Sequence, residues 1–325
     1  MRARNGRMTL LLIGLLLATC GGAENESQPL RLAFVTNSSS DFWALARAGI
    51  QQAESEFDVR VDFQVPGRGT AAEQRQIIES LIAKGVAGMA VSVLDPLGAV
   101  GILDEAASYM PVITQDSDCP DSKRIAYIGT DNVEAGRVAG RKLVELLPDG
   151  GEVALFVGKL DVANARDRRS GIEQEVEAHG IEIVETFTDE VSRPVAQANV
   201  RNALEKYPDL DALVGLWSYN TPAIVKVVEE KGIIGKVKIV GFDEEDVTLD
   251  AIEQGVVAAT VVQQPYEFGY RSIRALAQLA RGLDPGLSDS GLNYVPVQLI
   301  DEGNVAQFRV DLERLLAAGS SESSP

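Results

Sequence analysis

The sequence predicts an α/β protein of two similar lobes, each a parallel sheet covered by helices on both faces. Three observations carry this. Short apolar runs alternate with amphipathic segments from residue 31 onward, the pattern of strands buried between helices. The rhythm restarts near residue 152 and gives about six strands per half, more than one doubly wound sheet comfortably holds. A chain of 325 residues also makes two domains at about 150 residues each.

The elements follow in order. LAFVT (32–36) is a buried-strand run, and Trp43, Ala46, Ile50 and Ala53 then recur at helical spacing through 42–56. VRVDFQV (59–65) alternates with period two. AAEQRQIIESLIAKG (71–85) sets Ile77, Ile78, Leu81 and Ile82 on one face and stops at Gly85. MAVSV, PVIT and IAYIG are further strands. In the second half, EVALFVG (152–158) precedes a helix at 166–179, and EIVETFT (182–188) precedes another at 194–206. ALVGLW (212–217), VKIVGF (237–242) and VAATVV (257–262) continue the series. Open α/β sheets bind ligands beyond the carboxyl ends of their strands. Polar residues directly after strands are therefore the candidates: Asn37 to Asp41, Asp95, Asp116 to Asp118, Thr130 to Asn132, Lys159 to Arg168, Ser218 to Asn220, Asp243, Gln263 and Gln264.

Composition narrows the function. Charged residues at 24% and hydrophobic residues at 45% are globular values. The formal charge of −18 repels phosphate backbones and speaks against nucleic-acid binding. One histidine, His179, excludes His-rich metal sites, and two cysteines, Cys20 and Cys119, cannot build a disulfide framework. Cys119 reads as a small loop or wall residue, since no basic neighbour lowers its pKa.

The N-terminus reads as an address. Arg2, Arg4 and Arg7 precede the apolar run at 8–18, which is too short for the roughly 20 residues of a spanning helix. Leu17-Ala18-Thr19-Cys20 resembles a bacterial lipobox, with Thr19 where a smaller residue is usual. The expectation is a signal at 1–19 with Cys20 as lipidation site; an ordinary cleaved signal and an uncleaved anchor are the alternatives. Residues 20–30 read as a flexible tether.

Four motifs have competing readings. Gly67 to Ala72 (GRGTAA) echoes a dinucleotide fingerprint but follows the second strand, so it reads as a turn into a helix. Asp243-Glu244-Glu245-Asp246 reads as a helix start with one ligand-facing acid, the alternative being a metal site completed by Asp116 and Asp118. Phe42 and Trp43 either staple a helix to the sheet or offer a ring to the cleft. Arg166 to Arg169 is a solvated face, with Arg168 the candidate for a ligand contact. An aromatic platform, carboxylates and an arginine fork together suit a sugar.

These residues resemble the bacterial periplasmic sugar-binding proteins of the ribose/galactose type over roughly residues 31–310. The resemblance rests on D-F-W at 41–43, the run from Gln74 to Val86, P-V-I-T-Q-D at 111–116 and Y-I-G-T-D-N-x-x-A-G at 127–136. It continues in A-R-D-R-R-S-G at 165–171, V-G-F-D at 240–243 and V-V-Q-Q-P at 261–265. It implies two Rossmann-like lobes joined by a three-strand hinge, a periplasmic binding protein of type I. One lobe would be 31–130 plus 264–292 and the other 131–263 plus 293–313, with a disordered tail at 314–325. It implies ligand contacts from Ser40, Phe42, Trp43, Asp116, Arg168, Asp243 and Gln263, and from Ser218 or Asn220. Asp118 joins them as a second carboxylate, because Ser117 stands where ribose binders carry an arginine after the acid. No proline precedes the aromatics.

The implied function is capture of a sugar or sugar-like ligand for an ABC transporter permease, by a monomer held at the membrane by lipid in the periplasm or at the cell surface. No enzyme activity, cofactor, metal or nucleic acid is implied. The alternatives are a ligand sensor for a membrane receptor, or a cationic or nucleoside-like ligand.

Overall fold

The computed structural model describes residues 1, 29–40 and 42–320. Cys20, the leader and most of the tether lie outside the described residues. The first lobe begins β1 (Leu30–Val35), α1 (Phe42–Phe57), β2 (Val59–Gln64), α2 (Ala71–Lys84), β3 (Met89–Val91), α3 (Pro96–Ala107), β4 (Val112–Gln115) and β5 (Ala126–Gly129). The second runs α4 (Asn132–Leu146), β6 (Gly151–Val157), α5 (Ala163–Val176), β7 (Ile181–Thr188), α6 (Arg193–Lys206), β8 (Leu210–Gly215), α7 (Asn220–Glu230), β9 (Lys238–Phe242), α8 (Asp246–Glu253) and β10 (Ala259–Val262). The chain returns for α9 (Pro265–Ala280) and β11 (Leu292–Tyr294), then crosses again to β12 (Gln298–Asp301) and α10 (Val305–Ser320).

Each lobe holds one six-stranded sheet, in the orders β11-β5-β4-β3-β1-β2 and β12-β10-β9-β8-β6-β7. All pairings are parallel except β10 with β12. Period-two alternation sorts the strand side chains into two layers. Leu32 and Phe34 face the layer of α1 and α9, with Trp43, Ile50 and Phe268. Ala33 and Val35 face the layer of α2 and α3, with Ile78, Leu81 and Ile102. The second lobe repeats this, Phe156 facing one layer and Leu155 and Val157 the other. Each large side chain so buried contributes about 1.5–3 kcal/mol. Thr70 caps α2 by accepting from the Glu73 N–H, and Gly85 ends it at φ 65°, a conformation only glycine adopts freely.

The lobes are related by an internal pseudo-dyad. The helix entering the second lobe, α4, packs on α5 as α9, re-entering the first, packs on α1. A Cβ on Gly136 would stand 2.1 Å from the Arg168 carbonyl oxygen, and one on Gly269 would stand 2.1 Å from that of Ala46. A Cβ on Gly171 would stand 2.0 Å from the Val133 carbonyl oxygen, and one on Gly49 would stand 2.0 Å from that of Tyr266. Residues Val133 and Tyr266, Gly136 and Gly269, and Thr130 and Gln263 share one offset of 133. Glycine at these points lets the helix backbones touch, and a side chain would force them apart.

Two boundaries differ from the sequence reading. The third crossing falls at 295–297, after β11 has joined the first sheet. Residues 314–320, read from sequence as tail, continue α10. Val305, Phe308 and Leu312 at helical spacing seat that helix on the second lobe's core, and it also packs beside α1 of the first lobe.

Candidate functional site

The site builds up where the strands end nearest the crossings. Asp116 directly follows β4 and Asp243 directly follows β9, and both adopt a left-handed backbone, with φ 57° and 67°. That conformation costs a non-glycine residue on the order of 1 kcal/mol. In each lobe a hydroxyl on the adjacent hinge-side strand holds the acid's carbonyl oxygen. Tyr127 donates to Asp116 at 3.0 Å, and Thr260 donates to Asp243 at 2.8 Å. The same strands take the acids' N–H groups, Asp116 donating to Ile128 and Asp243 to Val261.

The carboxylates are held as firmly. Ser92 Oγ (2.7 Å) and Asn37 Nδ2 (3.1 Å) both donate to one oxygen of Asp116, Oδ2. Gln263 Nε2 donates to Asp243 Oδ1 at 2.9 Å. Arg168 is 2% exposed. Its Nε donates to Asn132 Oδ1 (3.0 Å) and its Nη1 to the Leu216 carbonyl (2.7 Å), while Nη1 lies 4.0 Å from Asp243 Oδ2. The guanidinium rests over the Phe242 ring, 4.5 Å from its centroid.

Burial raises the Asp116 carboxyl to about 6, against the donors Ser92 and Asn37 and the Arg168 charge, with Asp243 adding repulsion. Burial also raises Asp243, which Arg168 and Gln263 pull back. Burial lowers the Arg168 pKa, and the two acids oppose that shift. Glu244 is pushed to about 8 by burial and then by Asp243, and its buried Oε2 has no hydrogen-bond partner among the described residues. One arginine thus faces two acids of opposite lobes, the balance suited to a ligand rich in hydroxyl donors and acceptors.

Other sequence candidates fall elsewhere. Trp43 is 4% exposed and lies in the first lobe's core against Phe34 and Phe42. Its spacing with Ala46 and Ile50 puts it on the inner face of α1, so it is not a free stacking platform. Phe42 is half-buried between Trp43 and Phe268. Ser40 is exposed, and its Oγ accepts from the Phe42 N–H at the start of α1. Asp118 does not join Asp116: Arg124 grips both its oxygens, at 2.5 and 2.6 Å, and Thr114 and the Cys119 N–H also donate to it. Asn220 is wholly buried, donating to Asp189 and accepting from the Trp217 N–H. Ser218 is half-buried in the turn before α7. Among the described residues, no three His, Cys, Asp or Glu side chains converge on a metal position.

Several site residues escaped the sequence reading. Ser92 was legible as a polar residue just after MAV. Tyr127 and Thr260 lie within strands and carry no such signal. Trp217, half-buried after β8, donates to Asn164 Oδ1 at 3.1 Å and occupies room left by Gly158.

Comparison with known proteins agrees with the two-lobed architecture. The D-ribose/D-allose-binding protein of Pseudomonas aeruginosa is 25% identical over 311 residues, covering 89% of this chain and 97% of its own. The D-allose-binding periplasmic protein of Escherichia coli is 27% identical, covering 82% and 88%. Among solved structures, GanP, a glucose-galactose binding protein from Geobacillus stearothermophilus, superposes with a TM-score of 0.79 at 30% identity, covering 86% of this chain and 99% of its own. An ABC transporter solute binding protein from Burkholderia graminis, in complex with D-arabinose, gives 0.80 at 27% identity, covering 86% and 98%. The family model described as "Periplasmic binding protein domain" matches residues 32–284. With two parallel α/β lobes, three crossings and facing acids between them, the chain belongs to the periplasmic binding protein domain family.

Proposed function

We propose that this protein captures a pentose or hexose between its lobes outside the cytoplasm and delivers it to an ABC transporter permease. The observation that carries the reading is the convergence of Asp116, Asp243, Gln263 and Arg168 from both lobes at the crossings. A sugar's hydroxyls donate to the two carboxylates and accept from the guanidinium, and Phe42 supplies an apolar face at the cleft wall. Relatives named for ribose, allose, xylose, arabinose, glucose and galactose support the ligand class. The family is non-catalytic, and no bond is made or broken. Contacts to both lobes favour the closed arrangement, and ligand shifts the equilibrium only by its differential affinity for that state. Trp43, Asp118 and Asn220 are assigned to the framework rather than to the ligand. Cys20 carries the lipid that tethers a monomeric chain to the membrane.

The test is thermal unfolding of residues 21–325, freed of carried-over ligand, against pentoses, hexoses, polyols and amino sugars. A sugar at 100 times its dissociation constant stabilises the fold by about 2.7 kcal/mol. A shift with a pentose or hexose supports the reading, whereas shifts only with cationic or nucleoside-like compounds overturn the sugar assignment. A sensor role is a second reading, favoured by likeness to the XylFII–LytSN complex at 27% identity and a TM-score of 0.76. Co-purification with a receptor ectodomain instead of a permease decides between the two.

A further inference from the structure

The two acids have a common neighbour in the hinge. Thr130 directly follows β5 at the first crossing and is 2% exposed. Its Oγ1 lies 2.9 Å from Oε1 of Gln263, its pseudo-dyad mate on the second crossing. An amide oxygen carries no proton, so the threonine hydroxyl must donate. The Asp243 carboxylate only accepts, which turns the amide's N–H groups toward it, where Nε2 reaches Oδ1 at 2.9 Å, and the Thr130 hydroxyl anchors the oxygen at the other end. The reversed amide would set Oε1 against the Asp243 carboxylate. The Thr130 carbonyl accepts from Tyr127 (3.1 Å), whose hydroxyl also serves Asp116, and from Asn132 (3.4 Å), which accepts from Arg168.

We propose that Thr130 is a positioning residue for ligand binding: its hydroxyl orients the Gln263 amide, and through it the Asp243 carboxylate, from the point where the first two crossings meet. The inference rests on the reading that Asp243 receives the ligand. Thr130 itself need not touch the sugar. Without the hydroxyl, the buried amide oxygen has no donor and the Gln263 side chain loses one of its two anchors. The neutral donor to Asp243 is then loosened, while its charged neighbours stay: Arg168 on α5, Asp116 across the cleft, and Glu244 and Glu245 in its own loop. Glu245 is itself paired with Arg193 at 2.9 Å.

Thr130→Val, Thr130→Ala and Thr130→Ser separate hydroxyl from packing. Calorimetry with the sugar that most stabilises the wild type is expected to show affinity weaker by on the order of tenfold for Val and Ala, and restored by Ser. The second readout needs no sugar. Carbon-13 carboxyl NMR of the aspartate-labelled protein, with the Asp243 signal assigned by Asp243→Asn, gives that group's titration midpoint. Gln263 holds the Asp243 pKa down, so the midpoint is expected to move to higher pH in Val and Ala and to stay in Ser. A mere packing defect would not move it in that pattern. Equal loss in Ser and Val, or an unmoved midpoint in Val and Ala, overturns the proposal. If Val does not fold, Ala against Ser makes the same comparison. If no sugar binds the wild type, the sugar reading falls while the titration still decides the role of Thr130.

Discussion

Replacing Asp116 by Asn should make the protein more stable and a worse binder. The carboxyl titrates at about 6 against an ordinary 3.8 because it is buried. A folded-state pKa above the unfolded one means that the folded protein holds the proton more tightly. The stability from that proton is complete below pH 3.8 and is lost as pH rises through about 6. The gap is worth about 3 kcal/mol at pH 8, an upper value because part of the residue still reaches solvent while its carboxyl is desolvated. Asn removes this cost and keeps the scaffold. Ser92 and Asn37 both donate to the same oxygen, Oδ2, and the amide oxygen can take its place. The amide nitrogen then replaces the other oxygen, the one proposed to accept from a sugar hydroxyl.

Melting curves of the ligand-free proteins should nearly coincide near pH 4, draw apart between about pH 4 and 6, and keep a constant separation above that. At pH 8 the variant should melt higher by roughly 4–8 °C. Its affinity for the sugar should fall about 10- to 100-fold, the loss of a charge-assisted hydrogen bond. Parallel melting curves from pH 4 to 8 would refute the assigned origin of the shift, and wild-type affinity would refute the assigned role.

Three further outcomes follow from the packing. Trp43→Ala should destabilise the ligand-free first lobe by about 3–5 kcal/mol, read in chemical denaturation; an unchanged midpoint would move the indole out of the core. Arg168→Lys cannot bond Asn132 and the Leu216 carbonyl at once while also facing Asp243. Binding should weaken at least about 100-fold by calorimetry with retained far-ultraviolet dichroism, and full affinity would contradict the site. Asp118→Asn breaks the two-point grip of Arg124 and should cost about 1–3 kcal/mol of stability without changing which sugars bind; a changed sugar preference would return Asp118 to the ligand.

Most of the fold was legible because strand burial and helix amphipathicity are written in local periodicity. The failures share a cause. Asp118 looked like Asp116 because both are acids just after a strand, and only the return of Arg124 to its side separates them. Trp43 was ambiguous because a residue at the start of a helix faces either cleft or core depending on the helix's roll, which the contact of α1 with α9 sets. Tyr127 and Thr260 were invisible because a strand residue's side-chain bond to the neighbouring strand's end leaves no mark in its own segment. The ends of the lobes were misplaced for a related reason. Three residues suffice for β11, and its membership of the first sheet depends on β5 at residues far earlier in the chain.

The pseudo-dyad explains why the charged residues of the site are unequally shared. The two acids are a symmetric pair, with matched left-handed backbones and matched hydroxyl partners on the adjacent strands. The arginine has no mate: the close-packed glycines put Ala46 of α1 where α5 has Arg168. A guanidinium in both places would set two buried cations beside each other, and neither would have a full set of acceptors. One arginine between two acids instead leaves acceptor capacity on both lobes, so a ligand that donates to both carboxylates gains most when they close on it. The asymmetry also fixes which lobe dominates the empty protein's electrostatics. Arg168 stands against Asp243 in its own lobe and reaches Asp116 only across the cleft. Opening the lobes should therefore leave Asp243 with its cation, take it away from Asp116, and let water reach that carboxyl in compensation.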